Sequence, residues 1–331
     1  VQQGRMNPRI TLALVAYRQS AFIDVAVRSA LAQECEPIEI LLSDDASPDD
    51  THTRMLALAA QYKGPHQVVV RRNPRNLGIG AHYNEVMQAA RGELVVLMAG
   101  DDISLPQRVA RNAQAWDDSG GRADLIASDV VDMTYDGVDQ GITKVDDLAQ
   151  WATVQDWATR RPYIIGAAHA VTRRLFDQFG PVAVDVTHED QVDTLRAICR
   201  GGALTVAEPL LRYRRGGISG GLQQFTAAEF VSRGKRQNDT HVALHRQWLV
   251  DARLAGCLDL VDRATRREHD RELFIQALLR APDLAARLSV ATGTQGVDLS
   301  WRLRKLVYWQ WPAVAASVRR LQVRSKQLRR G

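Results

Sequence analysis

The chain has 331 residues, 45% of them apolar, 24% charged and 6% aromatic, with 23 glycines and 11 prolines. That balance excludes collagen-like, low-complexity and wholly disordered chains, and the length suits one large domain with an appendage. The formal net charge of +5 is unevenly spread: residues 300–331 hold nine Lys or Arg and no acid, leaving 34 basic against 38 acidic side chains, a net of −4, in the first 299.

Ile10–Tyr17 (ITLALVAY) is a continuous apolar run and Ile38–Ser43 (IEILLS) a second, with a helical pattern between them at Ala21, Val25, Val27, Ala30 and Leu31. Val68–Val70 and Glu93–Met98 (ELVVLM) repeat the pattern, the latter after a helix over about Ala81–Ala90 that Gly92 is expected to cap. Unbroken apolar strands alternating with amphipathic helices predict a parallel sheet buried on both faces, with ligands beyond the carboxyl ends of its strands. A helix follows Pro106 to about Asp118 and a strand spans Leu125–Ser128, after which periodicity fades from Val130 to Pro162. Strand-like pieces return at Tyr163–Val171 and Ala203–Val206, with helices at Arg173–Phe179 and Asp190–Cys199. Beyond Gly221 the pattern is helical, broken at Gly256, Pro282, Gly293, Gly296 and Pro312. The predicted organisation is an α/β catalytic domain over residues 6–222 and a helical C-terminal region over 223–331.

Cys35, Cys199 and Cys257 are too far apart in sequence to draw a disulfide framework or a metal clamp, which predicts a reducing compartment. No apolar run approaches the ~18 residues of a spanning helix, so the expectation is a cytoplasmic chain that is at most peripheral to a membrane.

Polar residues collect where the strands end. The first strand ends at Ala16-Tyr17-Arg18, the second at Ser43-Asp44-Asp45-Ala46-Ser47 and the fourth at Ala99-Gly100-Asp101-Asp102. Adjacent carboxylates repel and are costly to desolvate, so two Asp-Asp pairs at corresponding strand ends point to cation or hydroxyl binding. Asp45 or Asp49 also suits the N-cap of the next helix, at about Thr51–Tyr62.

The segments TLALVAYRQSAFIDVAVRSALAQ, EILLSDDASPDDT, NLGIGAHYNEVMQAARGELVVLMAGDDISLP, THEDQVDTLRAICRGG and EPLLRYRRGGIS resemble, in this order, glycosyltransferase family 2, inverting enzymes with the GT-A nucleotide-binding fold. The resemblance covers about the first 220 residues and is of the bacterial surface-polysaccharide type. It implies that Tyr17, with Ala16, stacks on a nucleobase, that Asp45 accepts from the base N–H with Asp44 supporting the loop, and that Asp101 holds the ribose. It further implies that Asp102 ligates Mn²⁺ or Mg²⁺ under the diphosphate, where a hard dication stabilises the leaving group's charge. A ring and a carboxylate acceptor suit uracil or thymine, hence a UDP- or dTDP-sugar donor. Gly78 in Asn76-Leu77-Gly78-Ile79-Gly80 would open the next helix toward the diphosphate, and Arg214 and Arg215 would close over it, with Arg71, Arg72 and Arg75 as further cations. Asp190, or alternatively Glu189, would take the acceptor's proton, with His188 capping the helix and Gly166, His169 and Arg173 on the acceptor side.

The chain departs from the family pattern at Ala99, where members often carry Asp, at His82-Tyr83 before Asn84, where many have Arg, and at Gly216, where members often have His. His241 and His245, four apart, read as a helix face rather than a zinc pair. Residues 300–331 interleave Trp301, Tyr308, Trp309 and Trp311 with their nine cations and read as an interfacial segment for anionic lipid at the inner face of the plasma membrane; docking on the catalytic domain or on a second subunit is the alternative. No nucleic-acid recognition pattern accompanies them. The expected activity is metal-dependent transfer of one hexosyl or related sugar to a hydroxyl of a lipid-linked or cell-surface polysaccharide acceptor. A non-catalytic sugar-nucleotide-binding module and a sugar-nucleotide nucleotidyltransferase are the competing readings.

Overall fold

The structure, a computed structural model, describes residues 8–216 and 226–311. They form two compact units, residues 8–216 with 247–260 and residues 226–246 with 261–311.

The first unit begins with β1 (Ile10–Ala16), α1 (Ile23–Leu31), β2 (Glu39–Asp44), α2 (Thr51–Gln61), β3 (Gln67–Arg72), α3 (Ile79–Ala89) and β4 (Leu94–Ala99). It continues through β5 (Ile103–Ser104), α4 (Arg108–Asp118), β6 (Leu125–Met133), β7 (Asp139–Thr143), α5 (Val154–Thr159), a single 3₁₀ turn at Gly166–Ala168, β8 (His169–Thr172), α6 (Arg173–Phe179), α7 (Glu189–Cys199) and β9 (Ala203–Arg214). Among the described residues the strands form one sheet in the order β3-β2-β1-β4-β8-β6-β9-β5, with β7 paired to β6. The first four strands are parallel. Their Leu, Ile and Val side chains alternate between two covered faces, so almost every residue of β1, β2 and β4 is buried. Leu12, Leu14, Ile40, Leu42, Val96 and Met98 meet Ile23 and Val27 of α1 and Val109 and Trp116 of α4 in one core, each such side chain contributing about 1.5–3 kcal/mol through burial.

Several sequence expectations need correction. Gly92 does not cap α3, whose C-cap is Ala90; it is glycine because a Cβ there would strike the backbone of Ile10 and Thr11. The stretch read as losing periodicity holds the end of β6, all of β7 and α5; β7 is exposed along most of its length, so no apolar alternation marks it. Tyr163–Ile165 are not strand, because the 3₁₀ turn intervenes and pairing starts only at His169. β9 runs eight residues past Val206, through bulges beside Ser128 and Asp129 that accommodate Pro209.

The division at residue 222 is also incomplete, since residues 247–260 pack with the first unit. The reason is a buried ion pair. Arg196 of α7 donates through Nε and Nη2 to both Asp251 oxygens, at 2.8 and 3.1 Å, and both side chains are fully buried. Gln247 Nε2 adds a third donor to Asp251 while its Oε1 accepts from the Ala183 N–H. The pKa of Asp251 is pushed up by burial despite these partners.

The second unit takes in much of α8 (Ala227–Leu254) and α9 (Leu258–Arg280), then α10 (Leu284–Gly293) and α11 (Leu299–Gln310). Asp283 and Asp298 cap the last two by accepting from the Ala286 and Trp301 N–H groups. Phe230, Phe274, Leu278, Leu306 and Trp309 form its core, and the outer edge of the Trp309 ring occupies the space that a Cβ on Gly234 would need. Trp301, Tyr308 and Trp309 of the basic segment therefore serve packing, in ring contacts with Phe274 and Phe230. The helix expected after Pro312 lies outside the described residues. His241 and His245 face Glu272 and Glu268, and no three-ligand metal cluster occurs among the described residues.

Removing one partner of a buried pair leaves the other charge desolvated, so Asp251→Ala should destabilise the chain by about 3–5 kcal/mol, measured by urea unfolding, whereas Asp24→Ala, at a half-exposed pair with Arg54, should cost less than about 1 kcal/mol.

Candidate active site

The parallel register brings the carboxyl ends of four strands to one edge: Ala16 pairs with Asp44, Asp44 with Arg72 and Val15 with Ala99. The ladder extends one step beyond the strands, because the N–H groups of Asp45, Asn73 and Gly100 donate to the carbonyls of Ala16, Asp44 and Val15, each at 2.9 Å. Tyr17, Asp44, Asp45, Asp101 and Asp102 thus emerge together. Two of the connecting loops hold a non-glycine residue in the left-handed region, Arg18 at φ 54° and Ala46 at φ 56°, a conformation that costs of order 1 kcal/mol and marks loops fixed by their surroundings. Ser47 fixes both: its Oγ accepts from the Arg18 N–H and its N–H donates to Asp44. Gly100 lets the loops close up, since a Cβ there would lie 2.5 Å from Gln19 Oε1.

The two aspartates after β2 differ in what they have left to offer. Asp45 Oδ1 accepts from Asn73 Nδ2 and the Leu77 N–H, and Oδ2 from Asn76 Nδ2 and the Gly78 N–H, at 2.7 to 3.1 Å. Those four donors use a carboxylate's acceptor capacity. Asp45 is therefore the anchor of the Asn76–Gly78 turn rather than the N-cap of α2, and the Gly78 N–H is directed at it; Gly78 itself, at φ 81°, occupies the N-cap position of α3. For Asp45 to accept from a base, one of the four must release it. Asp44 accepts from Ser47 and pairs with Arg72 through Oδ2, while Oδ1 is buried with no hydrogen-bond partner. Tyr17 is half-buried just past β1. Arg71 is engaged by Ser43, Asn73 and Glu85, and Arg75 is exposed.

Asp102 is buried beside half-buried Asp101. Its Oδ1 accepts from the Arg214 N–H at 2.8 Å, an approach made possible by the pairing of β5 with the end of β9, and its Oδ2 has no partner. Burial, reinforced by repulsion from Asp101, holds the Asp102 pKa well above the carboxylate range, and burial raises Asp101 too. An orphaned hard oxygen in that setting fits one ligand of a divalent cation whose other ligands come from a diphosphate and water. The two arginines stand differently from expectation, since Tyr213 and Arg214 belong to β9 rather than to a loop after it. Arg214 donates to the carbonyls of Asp101, Thr134 and Tyr135 and lies over the Phe22 ring at 4.4 Å, and Arg215 forms a two-pronged pair with Asp132 at 3.0 Å.

On the other side stands the first turn of α7, with His188 at its N-cap position and Glu189 and Asp190 following, both half-buried. Burial and the neighbouring Asp190 push the Glu189 carboxyl up to about 8, and burial raises Asp190 as well. Gly166 lies alongside Asp190: a Cβ on it would sit 3.4 Å from the carboxylate. The 3₁₀ turn that carries Gly166 is tied to β4, since Arg108 also donates to the Leu97 carbonyl at 2.6 Å. Arg108, fully buried and attracted by Asp102, donates to the Ala167 carbonyl at 2.9 Å; Ser128 Oγ donates to that of Ala168 at 3.3 Å; and His169 Nδ1 is bonded to that of Gly166 at 2.5 Å. Arg173, expected on the acceptor side, is not there. β8 runs antiparallel to β4, with Thr172 opposite Leu94, so Arg173 emerges at the far edge and donates to the last carbonyls of α3.

Residues that sequence reasoning passed over include Arg108, whose Nε and Nη1 have no partner, and Asp193, which accepts from the Tyr83 hydroxyl at 2.5 Å. The spacing of Asp190, Asp193 and Arg196 by three was a usable signal, because it stacks them on one helix face. Asn84 grips the backbone of Val182 through both amide atoms, which positions the segment leading to α7.

Residues 11–147 match the family description Glycosyl transferase family 2. The chain carries a glycosyltransferase family 2 domain. Over 126 residues the chain is 32% identical to the succinoglycan biosynthesis protein ExoO of Rhizobium meliloti, covering 38% of this chain and 35% of that protein. An uncharacterized protein of Mycobacterium bovis is 34% identical over 94 residues, 28% of this chain and 27% of its own length. The chain thus spans about a third or less of the length of these relatives. An uncharacterized glycosyltransferase of Nostoc is 24% identical over 250 residues, covering 73% of this chain and 75% of that one. In three dimensions the chain resembles S. aureus TarS 1–349 in complex with UDP (TM-score 0.57, 14% identity, 94% of this chain and 91% of that). It also resembles the Pyrobaculum calidifontis mannosyltransferase PcManGT in complex with GDP-Man and Mn²⁺ (TM-score 0.51, 17% identity, 96% and 88%). The fold is GT-A-like, with C-terminal helices.

A carboxyl group whose folded-state pKa is raised costs stability once the unfolded chain ionises and the folded chain does not. For Glu189 that cost is absent below its unfolded value and grows as pH rises toward 8. Glu189→Gln should therefore raise Tm by about 2 °C or more at pH 8 and leave it nearly unchanged at pH 4.5, as read by calorimetry.

Proposed function

We propose that this chain is an inverting glycosyltransferase that moves one sugar from a nucleoside-diphosphate donor to an acceptor hydroxyl. The observation that carries the proposal is the 3₁₀ turn at Gly166–Ala168, which Arg108 ties to the Leu97 carbonyl of β4, the strand that leads to Asp102, and on which Gly166 rests against Asp190. Asp102 suits the leaving diphosphate and Asp190 the incoming alcohol.

In this reading Tyr17 supports the base, with Ala16 closing the strand below it. Asp44 Oδ1, the buried acceptor still without a partner, takes the N–H of uracil or thymine, or Asp45 does so after its loop yields a donor. Asp101 holds the ribose. Asp102 holds Mn²⁺ or Mg²⁺ together with the diphosphate, and the cation when bound stabilises the charge on the departing group. Asp190 accepts the acceptor's hydroxyl proton as the oxygen attacks the anomeric carbon; the bond to the diphosphate breaks on the opposite face and the configuration inverts. A base with a raised pKa is better matched to an alcohol than an ordinary carboxylate is, and Glu189 beside it shares the proton. Arg214 and Arg215 steady the loop around Asp102 through their carbonyl and Asp132 contacts. A UDP- or dTDP-sugar and a lipid-linked or surface-polysaccharide acceptor are the proposed substrates, supported by the likeness to ExoO and to a UDP-bound fold.

Thermal-shift measurements with UDP, dTDP and GDP, each with and without Mn²⁺, test the donor. The uracil or thymine nucleotides should give the largest Mn²⁺-dependent rise, and Asp102→Ala should abolish that dependence. Asp190→Asn should keep the rise while lowering sugar transfer by about 10²–10⁴-fold; equal transfer in Asp190→Asn overturns the base assignment.

We further propose peripheral attachment to anionic lipid. On α11 the exposed residues Leu299, Leu303 and Val307 follow one another at intervals of four, with Arg304 and Lys305 beside them. No described helix is long and apolar enough to cross a membrane. Because Leu306 and Trp309 belong to the core, the test leaves α11 in place: Leu303→Glu with Val307→Glu should reduce flotation with phosphatidylglycerol vesicles several-fold, and unchanged flotation removes the proposal.

A further inference from the structure

His169 is fully buried, between the Gly166 carbonyl and Asp193 of α7. Its Nδ1 lies 2.5 Å from the Gly166 carbonyl, which can only accept, so Nδ1 carries a hydrogen. Its Nε2 has no hydrogen-bond partner and lies 3.8 Å from Asp193 Oδ2. A neutral ring would then point a lone pair at a carboxylate inside the protein, an unfavourable arrangement that protonation of Nε2 turns into an attraction.

The surrounding charges favour that outcome. From α7, Glu189, Asp190 and Asp193 all act on the ring. The Tyr83 hydroxyl of α3 donates to Asp193. Arg196 stands 3.9 Å from the other Asp193 oxygen but is committed to Asp251. Arg108 of α4 approaches only as far as the neighbouring Ala167 carbonyl. Burial alone disfavours a charged imidazole, yet the carboxylates outweigh it and hold the His169 pKa above its ordinary value.

We propose that His169 is a positioning residue for the Glu189–Asp190 pair: a buried imidazolium that draws the Gly166–Ala168 turn toward α7 and sets a fixed positive charge behind the two carboxylates. It touches no substrate atom. Its hydrogen bond to Gly166 places the turn against Asp190, and its charge limits how far burial can raise the base. The proposal rests on the assignment of Asp190 or Glu189 as base.

Two measurements test it. In protein labelled with ¹⁵N-histidine, long-range ¹H–¹⁵N spectra report both ring nitrogens, and His169→Gln identifies the resonance by its loss. Both nitrogens should be protonated at pH 7, and Asp193→Asn should return the ring to a neutral form with hydrogen on Nδ1 only. A neutral ring in the unsubstituted protein at pH 7 overturns the proposal. The second measurement is the pH profile of kcat. Glutamine retains a donor for Gly166 but no charge, so the acid limb should move up by about one pH unit in His169→Gln, lowering kcat roughly tenfold on that side; an unmoved limb also overturns it. Full kcat in Asp190→Asn would remove the base assignment itself and is read from that variant alone.

Discussion

Carboxylates kept out of water without enough partners are the constraint on which this structure turns. Asp44 and Asp102 are fully buried and held by backbone N–H groups, so neither can swing into solvent to relieve its desolvation, while Glu189 and Asp190 are half-buried and raised by burial. The parallel sheet makes this possible. Its buried strands supply rigid exits for the acidic loops, and left-handed Arg18 and Ala46 show that the loops are shaped by tertiary contacts rather than by local preference. In the function proposed above, cation binding and proton transfer would both use that unrelieved charge.

The Gly166–Ala168 turn has a related economy. Three successive carbonyls each meet a buried donor from a different element: β8 through His169, α4 through Arg108 and β6 through Ser128. A short 3₁₀ turn is a poor scaffold by itself. Tied at every residue, it becomes a fixed spacer between β4 and the acidic start of α7, held by side chains from three elements.

Much of this was legible in the sequence, and the limits have physical causes. The four parallel strands announced themselves because strands buried on both faces read as unbroken apolar runs, and the Asp-Asp pairs stood out because adjacent carboxylates are costly to desolvate. The pairing of β5 with β9 was not legible: it brings Arg214 to Asp102 across more than a hundred residues, and β9 bends through a bulge at Pro209. Arg214 read as a mobile loop cation for the same reason. Arg173 was misplaced because sequence gives a strand's position but not its direction, and the antiparallel run of β8 reversed the edge on which it emerges. In the basic C-terminal segment, composition could not separate aromatic side chains that fill a core, such as Trp309, from those that remain outside, such as Trp311.

The return of residues 247–260 to the first unit bears on how the chain comes together as it is made. Arg196 is synthesised more than fifty residues before Asp251, the carboxylate that neutralises it. Until that later stretch leaves the ribosome, α7 lacks the carboxylate that pairs with Arg196 on the face it must bury, so this helix is among the last parts of the first unit to settle. A fragment ending near residue 222 would keep every acidic residue of the site and still lack the partner that seats α7.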